Sequence, residues 1–213
     1  MLRTTTTGPA GIARYICRAE SADFSLEVAY DGGSPSPGNA NPVETRVTVR
    51  GMHRANAHAP ISPWVESWVR EFGNIEMPTG AWNGIKLAEV LRGRAFLGLA
   101  RNLSEVAIGS GVTLWEVQTG NTAIYSVIHS MDGDLLIVFN GYYGFAHPRR
   151  LGNIAAFNLL GQEVWRVQLP SDGDIFANPP EYLGGKLKSA SWEGWTCTIN
   201  DQSGQILARE FTK

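Results

Sequence analysis

Cysteine is nearly absent from this sequence: Cys17 and Cys197 are the only two in 213 residues. They leave room for one disulfide and require none, so they read as two reduced, buried thiols of a cytoplasmic protein. Charge is sparse too, with 18 Lys and Arg against 20 Asp and Glu, a formal net charge of −2 and no long run of either sign. That balance argues against a nucleic-acid binder or a binder of anionic membranes, which carry a basic stripe. The one compact basic group, Arg149–Arg150, is too small to alter this. No apolar run approaches the ~20 residues needed to span a bilayer. The segment Met1–Pro9 lacks the apolar centre of a signal peptide. The expectation is a cytoplasmic location with no membrane partner.

Catalytic and metal signatures are also missing. There are four histidines, His53, His58, His129 and His147, and none has the spacing of a zinc site. There is no Gly-x-Ser-x-Gly elbow, no phosphate-binding Gly-rich loop and no dinucleotide fingerprint. From these absences the sequence predicts no catalytic residue, no metal and no cofactor. Asp132-Gly133-Asp134 and Asp172-Gly173-Asp174 stand 40 residues apart and read as turns, since a calcium loop needs more oxygen ligands than either supplies.

What the chain has in quantity is apolar residues, 43%, with seven tryptophans and 24 glycines. The stretch 12–19, with Tyr15, Ile16 and Cys17, is a strand candidate, and Phe24–Tyr30 and Val43–Arg50 alternate apolar and polar with period two, as half-buried strands do. A Gly/Ser/Pro/Asn-rich connection, 31–42, joins the last two. Ser62-Pro63 then suits a helix start, and Trp64, Val65, Trp68, Val69 and Phe72 recur at helical spacing up to Gly73. A second helix is expected over 81–101, its apolar face formed by Ile85, Leu87, Ala88, Leu91, Ala95, Phe96 and Leu99, with a break at Gly93.

From Ser104 onward short β-type runs alternate with glycine, and three of them align. The units are Val106–Gly120, Gly152–Trp165 and Ser189–Leu207, with glycine pairs Gly111/Gly120, Gly152/Gly161 and Gly194/Gly204. The second glycines lie 41 and 43 residues apart, a spacing typical of β-propeller blades. Gly152-Asn-Ile-Ala-Ala-Phe-Asn-Leu-Leu-Gly161-Gln-Glu-Val-Trp165 resembles the repeat of quinoprotein-type β-propellers: a glycine, a short apolar strand, Asp or Asn, a turn glycine, and a strand ending in tryptophan. Trp195–Leu207 is similar without the final tryptophan. The resemblance covers about half the chain and implies a blade-like fold; the cofactor residues of the quinoprotein enzymes are not seen, so it implies no quinone. The expected fold is α+β, mainly β. An N-terminal β-hairpin and two helices (1–103) precede three propeller-like repeats (104–213) in an open or incomplete array, the whole packed as one unit.

Two sets of residues are candidates for function. Tyr142, Tyr143, Phe145, His147, Arg149 and Arg150 concentrate aromatic and Arg side chains in the loop that interrupts the second repeat. Such residues anchor protein interfaces, because each buries much area and keeps directional polar contacts. Trp192, Glu193 and Trp195 would alternatively suit a carbohydrate or small ligand, with indole faces for stacking and a carboxylate, as in a glycoside hydrolase. The first set points to a non-catalytic protein-binding module, most concretely an immunity-type inhibitor of a protein toxin in a bacterial cytosol. Homo-oligomerisation through an exposed sheet edge is a further expectation.

Overall fold

Antiparallel strands, hydrogen-bonded within each sheet to their neighbours in sequence, build the described part of the structure, a computed structural model that describes residues 2–6, 13–32, 43–55, 62–78, 85–141 and 152–212. The first sheet is five-stranded: β1 (Leu2–Thr6), β2 (Ala13–Glu20), β3 (Phe24–Gly32), β4 (Val43–Arg54) and β5 (Trp64–Met77). Three four-stranded meanders follow. The second sheet is β6 (Ala88–Leu91), β7 (Arg94–Leu99), β8 (Asn102–Val106) and β9 (Thr113–Gln118). The third is β10 (Ile124–His129), β11 (Leu135–Asn140), β12 (Ile154–Asn158) and β13 (Glu163–Arg166). The fourth is β14 (Glu181–Leu183), β15 (Lys186–Ala190), β16 (Trp195–Ile199) and β17 (Ile206–Phe211). Consecutive antiparallel meanders, each sheet packed on the next, are the arrangement of a β-propeller. The 103/104 boundary falls inside β8.

The described residues contain no helix, so the expected α+β class is corrected to all-β. The stretch expected as the first helix is β5, paired along its length with β4 and bulged against Thr45/Val47 and Gly51/Met52. Trp68, Arg70 and Phe72 are its half-buried residues at period two, while Val65 and Val69 are 41% and 42% exposed. An arginine in the inward series hid the alternation. Its guanidinium reaches Gly111 O at 2.6 Å and Thr113 Oγ1 at 3.0 Å in the second sheet. Of the stretch expected as the second helix, 81–84 lie outside the described residues and 88–99 form the hairpin β6–β7. Arg92 and Gly93 both have positive φ, 52° and 71°, as a two-residue I′ turn requires. Both strands are buried almost throughout, so their apolar run shows no alternation and mimics a helix.

The sheets are joined by one repeated contact. Trp68 of β5, Trp115 of β9 and Trp165 of β13 each lie against the turn glycine of the following sheet: Gly111, Gly161 and Gly204. All three glycines have positive φ. Gly111, not Gly120, is therefore the counterpart of Gly161, and the sequence alignment of the first repeat is corrected by nine residues. Trp68 Nε1 donates to Ile108 O (2.6 Å) and Trp165 Nε1 to Asp201 O (3.1 Å), but buried Trp115 Nε1 has no partner among the described residues. The turn at Gly161 closes between Asn158 and Gln162, one residue shorter than those closed by Ala107–Val112 and Asn200–Gln205, and the carbonyl after its first residue, Leu159 O, accepts from Arg94 Nη2 at 2.8 Å. Replacing Trp68 or Trp165 by Phe is expected to cost about 1–2 kcal/mol through a buried carbonyl losing its donor. The same change at Trp115 is expected to be neutral or slightly stabilising. Urea unfolding of the three variants checks this, and equal losses at all three would sink it. At the position in β17 equivalent to these tryptophans stands Ala208.

The inner strands of the second and third sheets meet through a short parallel bridge, with Lys86 N donating to Tyr125 O and Val127 N to Lys86 O. Buried Glu89 lies there with Lys86 Nζ at 2.6 Å and His129 Nδ1 at 3.3 Å, the latter an ion-pair distance without hydrogen-bond alignment. Burial pushes the Glu89 carboxyl up, but His129 and Lys86 together outweigh it and hold the group below its ordinary 4.5. A carboxylate with a depressed folded-state value stabilises the fold above its unfolded value, and that stability is lost as pH falls through the folded one. Unfolding midpoints are therefore expected to drop as pH falls below about 4.5, and Glu89→Gln to flatten part of that drop. Identical pH profiles for the variant and wild type would contradict this.

Candidate functional site

In a meander, successive connections alternate between the two ends of the sheet. Followed along the chain, this alternation puts the turns 92–93, 107–112, 130–134, 158–162, 183–186 and 200–205 at one end. The longer connections 78–87, 141–153 and 167–180, together with the turn 191–194, leave from the other. Long connections held on a rigid sheet scaffold are where binding groups concentrate.

The base of this loop end is a chain of buried amides. Asn140 Nδ2 donates to Thr119 Oγ1 (3.0 Å) and Thr122 O (2.8 Å), tying the third sheet to the second. Asn153 Nδ2 donates to Asn140 O (3.0 Å) and Phe176 O (2.9 Å), and Phe176 N donates back to Asn153 Oδ1 (3.2 Å). Phe176 is fully buried and bridges to Ser191, so the end of the β13–β14 connection prolongs the β14 edge alongside β15. The Arg166 guanidinium is consumed locally, by Glu163 (2.5 Å), Thr119 O (2.8 Å) and Gly152 O (3.2 Å).

Between the third and fourth sheets this end opens into a cleft of about 470 Å³. Its lining includes Gly152 and Arg166 on one side, Val167, Leu169 and Pro170 along the connection, and Arg209 of β17. Ser171 and Asp172 also line it, and Ser171 Oγ donates to Glu193 Oε2 at 2.7 Å, which places the β15–β16 turn beside the cleft. Asp174, 1% exposed, holds that turn: its Oδ1 accepts from Ile175 N (2.8 Å) and Glu193 N (3.1 Å), while Oδ2 has no donor among the described residues. Trp192 N donates to Ile175 O, and the Trp192 residue is 57% exposed.

The sequence candidates divide accordingly. Tyr142, Tyr143, Phe145, His147, Arg149 and Arg150 lie outside the described residues; the chain leaves at Gly141 and returns at Gly152, both at the loop end. Trp192 and Glu193 sit together on the turn beside the cleft. Trp195 does not join them as a surface group: it is half-buried, with its ring edge-on to Phe211 at 5.1 Å. The groups that sequence reasoning missed are Ser171, Asp174 and Arg209, brought together by the β13–β14 connection. The Asp172-Gly173-Asp174 turn, with Gly173 at φ 76°, was their only trace. Among the described residues no cluster of three or more His, Cys, Asp or Glu could hold a metal ion, and no helix is long and apolar enough to cross a membrane.

No protein-family model and no curated protein matches this chain. Among solved structures, BamB from Moraxella catarrhalis is 14% identical, with 97% of this chain and 67% of that one aligned at a TM-score of 0.49. The computationally designed Ika8 protein is 10% identical, with 100% and 74% aligned at a TM-score of 0.48. The propeller-type assignment rests on the strand order and inter-sheet contacts above, and neither likeness adds to a functional argument.

Proposed function

We propose that this chain is a non-catalytic protein-binding module whose interaction face is the loop end of its four sheets. The observation that carries this is topological. The connection bearing Tyr142–Arg150, the Trp192 turn and the β13–β14 connection all leave from one end, above a buried amide network that holds them to the scaffold. A rigid base at the points where a connection leaves and returns lowers the ordering cost of association, and aromatic and Arg residues are the usual interface anchors. In its most specific form the module is an immunity-type inhibitor that covers a partner protein's working surface. The proposal places it in the cytoplasm, in keeping with Cys17 and Cys197, both buried and unpaired. Burial pushes the Cys17 thiol up to about 12, so it stays a thiol at neutral pH.

The test is affinity capture from the source organism with wild type beside a Tyr142→Ala/Arg149→Ala/Arg150→Ala variant and a Trp192→Ala variant. One protein recovered near stoichiometrically with wild type, and lost with variants whose circular dichroism is unchanged, is the expected result. Recovery that all variants preserve would move the interface off this end, and the absence of any specific partner would remove the reading.

A further inference from the structure

We propose that the turn end of the last three sheets, opposite the loop end, is the face on which a second copy of this chain docks to form a two-fold dimer. Val112, Met131, Leu160 and Leu183 stand on four separate turns of that end and are 49–69% exposed. The turns themselves do not call for apolar residues. Leu160 precedes the turn glycine Gly161, whereas Ser110 and Ser203 precede the matching glycines Gly111 and Gly204. Serine is ordinary turn chemistry, and a solvated leucine is not. Exposed apolar side chains gathered at one end of a molecule mark an interaction surface.

These turns are tied into one layer. Arg92 of the β6–β7 turn reaches Asp134 Oδ1 at 2.7 Å and donates to Asp132 O at 2.8 Å, joining the second sheet to the third. Arg94 donates to Leu159 O, the neighbour of Leu160. Met131 N and Tyr182 OH both donate to Asp201 Oδ2, at 3.0 and 2.6 Å, joining the third sheet to the fourth. Polar groups are thus spent within the layer while the four apolar side chains stay in solvent, and a face fixed in this way loses little freedom on association. Charge selects the occupant. The charged side chains on the six turns are Arg92 and Lys186 on one side of the balance and Asp132, Asp134 and Asp201 on the other. Under a two-fold axis the same patch meets itself, so mixed signs can pair across it, whereas a partner of one sign would meet like charge. Three aspartates against two cations also disfavour an anionic lipid surface. Pairing through this face leaves both loop ends and the β17 edge uncovered.

The test is sedimentation equilibrium of the purified full chain over a concentration series, with no other protein present, so it stands or falls separately from the protein-binding reading. A reversible monomer–dimer equilibrium is expected. Met131→Ser/Leu160→Ser, with folding checked by circular dichroism, should weaken it about tenfold or more through lost apolar burial. Lys186→Asp should weaken it about threefold or more, by like-charge repulsion across the axis. The Tyr142→Ala/Arg149→Ala/Arg150→Ala variant, and Glu210→Lys on the β17 edge strand, should leave it unchanged. The proposal is overturned by a chain that stays monomeric up to about 1 mM. A folded Met131→Ser/Leu160→Ser protein that dimerises with wild-type affinity would overturn it too, as would a dimer lost only in Glu210→Lys. A monomeric chain that floats with phosphatidylcholine vesicles would equally overturn it, giving the face to lipid.

Discussion

Alanine at Gly111 or Gly204 is expected to destabilise the protein by about 2–4 kcal/mol, and at Gly161 by somewhat less, through two separable effects. The first is backbone strain: these residues have φ of 69°, 71° and 81°, where an L side chain pays about 1–2 kcal/mol. The second is contact. A Cβ on Gly111 would lie 2.5 Å from Trp68 Cε3, one on Gly204 2.5 Å from Trp165 Cε3, and one on Gly161 2.8 Å from Trp115 Cε3. Each indole is wedged between two sheets and cannot yield without opening the joint. Urea unfolding followed by circular dichroism measures the loss. In a double-mutant cycle, Gly204→Ala with Trp165→Ala should recover the contact part and leave the strain. Additive effects in that cycle would mean that the tryptophan and the glycine do not form one joint.

Loss of the Asn153 amide is the second large effect. Asn153→Ala removes three buried hydrogen bonds at once and strands Phe176 N and O among apolar neighbours. Unsatisfied buried groups cost about 1–3 kcal/mol each, so a total of about 3–5 kcal/mol is expected after partial relaxation. Asn153→Asp keeps an acceptor for Phe176 N but gives up both donated bonds and buries a charge, so it should be no milder at neutral pH. The functional consequence is local. Because Phe176 bridges Ser191, backbone NMR shifts in Asn153→Asp should concentrate at 174–177 and 190–193. A variant with wild-type stability and unmoved signals there would show that the amide chain does not hold the loop end.

Much of the β texture was legible because it depends on local pattern. Phe24–Tyr30 and Val43–Arg50 alternate cleanly and are strands in the structure, and the glycines at 161 and 204 mark hairpin turns. The two helices failed for opposite reasons. In β5 the inward series includes Arg70, whose partner is a carbonyl of another sheet, so polarity at that position reports a long-range contact and not a solvent face. In β6 and β7 burial on both faces erased the alternation that identifies a strand, leaving only the Arg92-Gly93 turn as a cue. The misaligned first repeat has a similar origin: glycine spacing cannot tell Gly111 from Gly120 until the tryptophan that packs on one of them is placed.

The candidate site shows the same division. Trp192 and Glu193 were readable as an aromatic–carboxylate pair because they are adjacent in the chain. Ser171, Asp174 and Arg209 were not, since they are separated by as many as 38 residues and meet only when the β13–β14 connection folds along the fourth sheet. By itself, then, the sequence determined that the chain is rich in strands, that its turns recur at blade-like intervals, and that its aromatic residues gather in particular connections. These properties follow from side-chain periodicity and from the backbone freedom of glycine, both of which act over a few residues. Only the tertiary structure decided that β5, β6 and β7 are strands, which glycine each tryptophan covers, and which end of the sheets carries the cleft. Those outcomes depend on pairing and burial between segments distant in sequence, where the free energy of a contact belongs to both partners and is written in neither one alone.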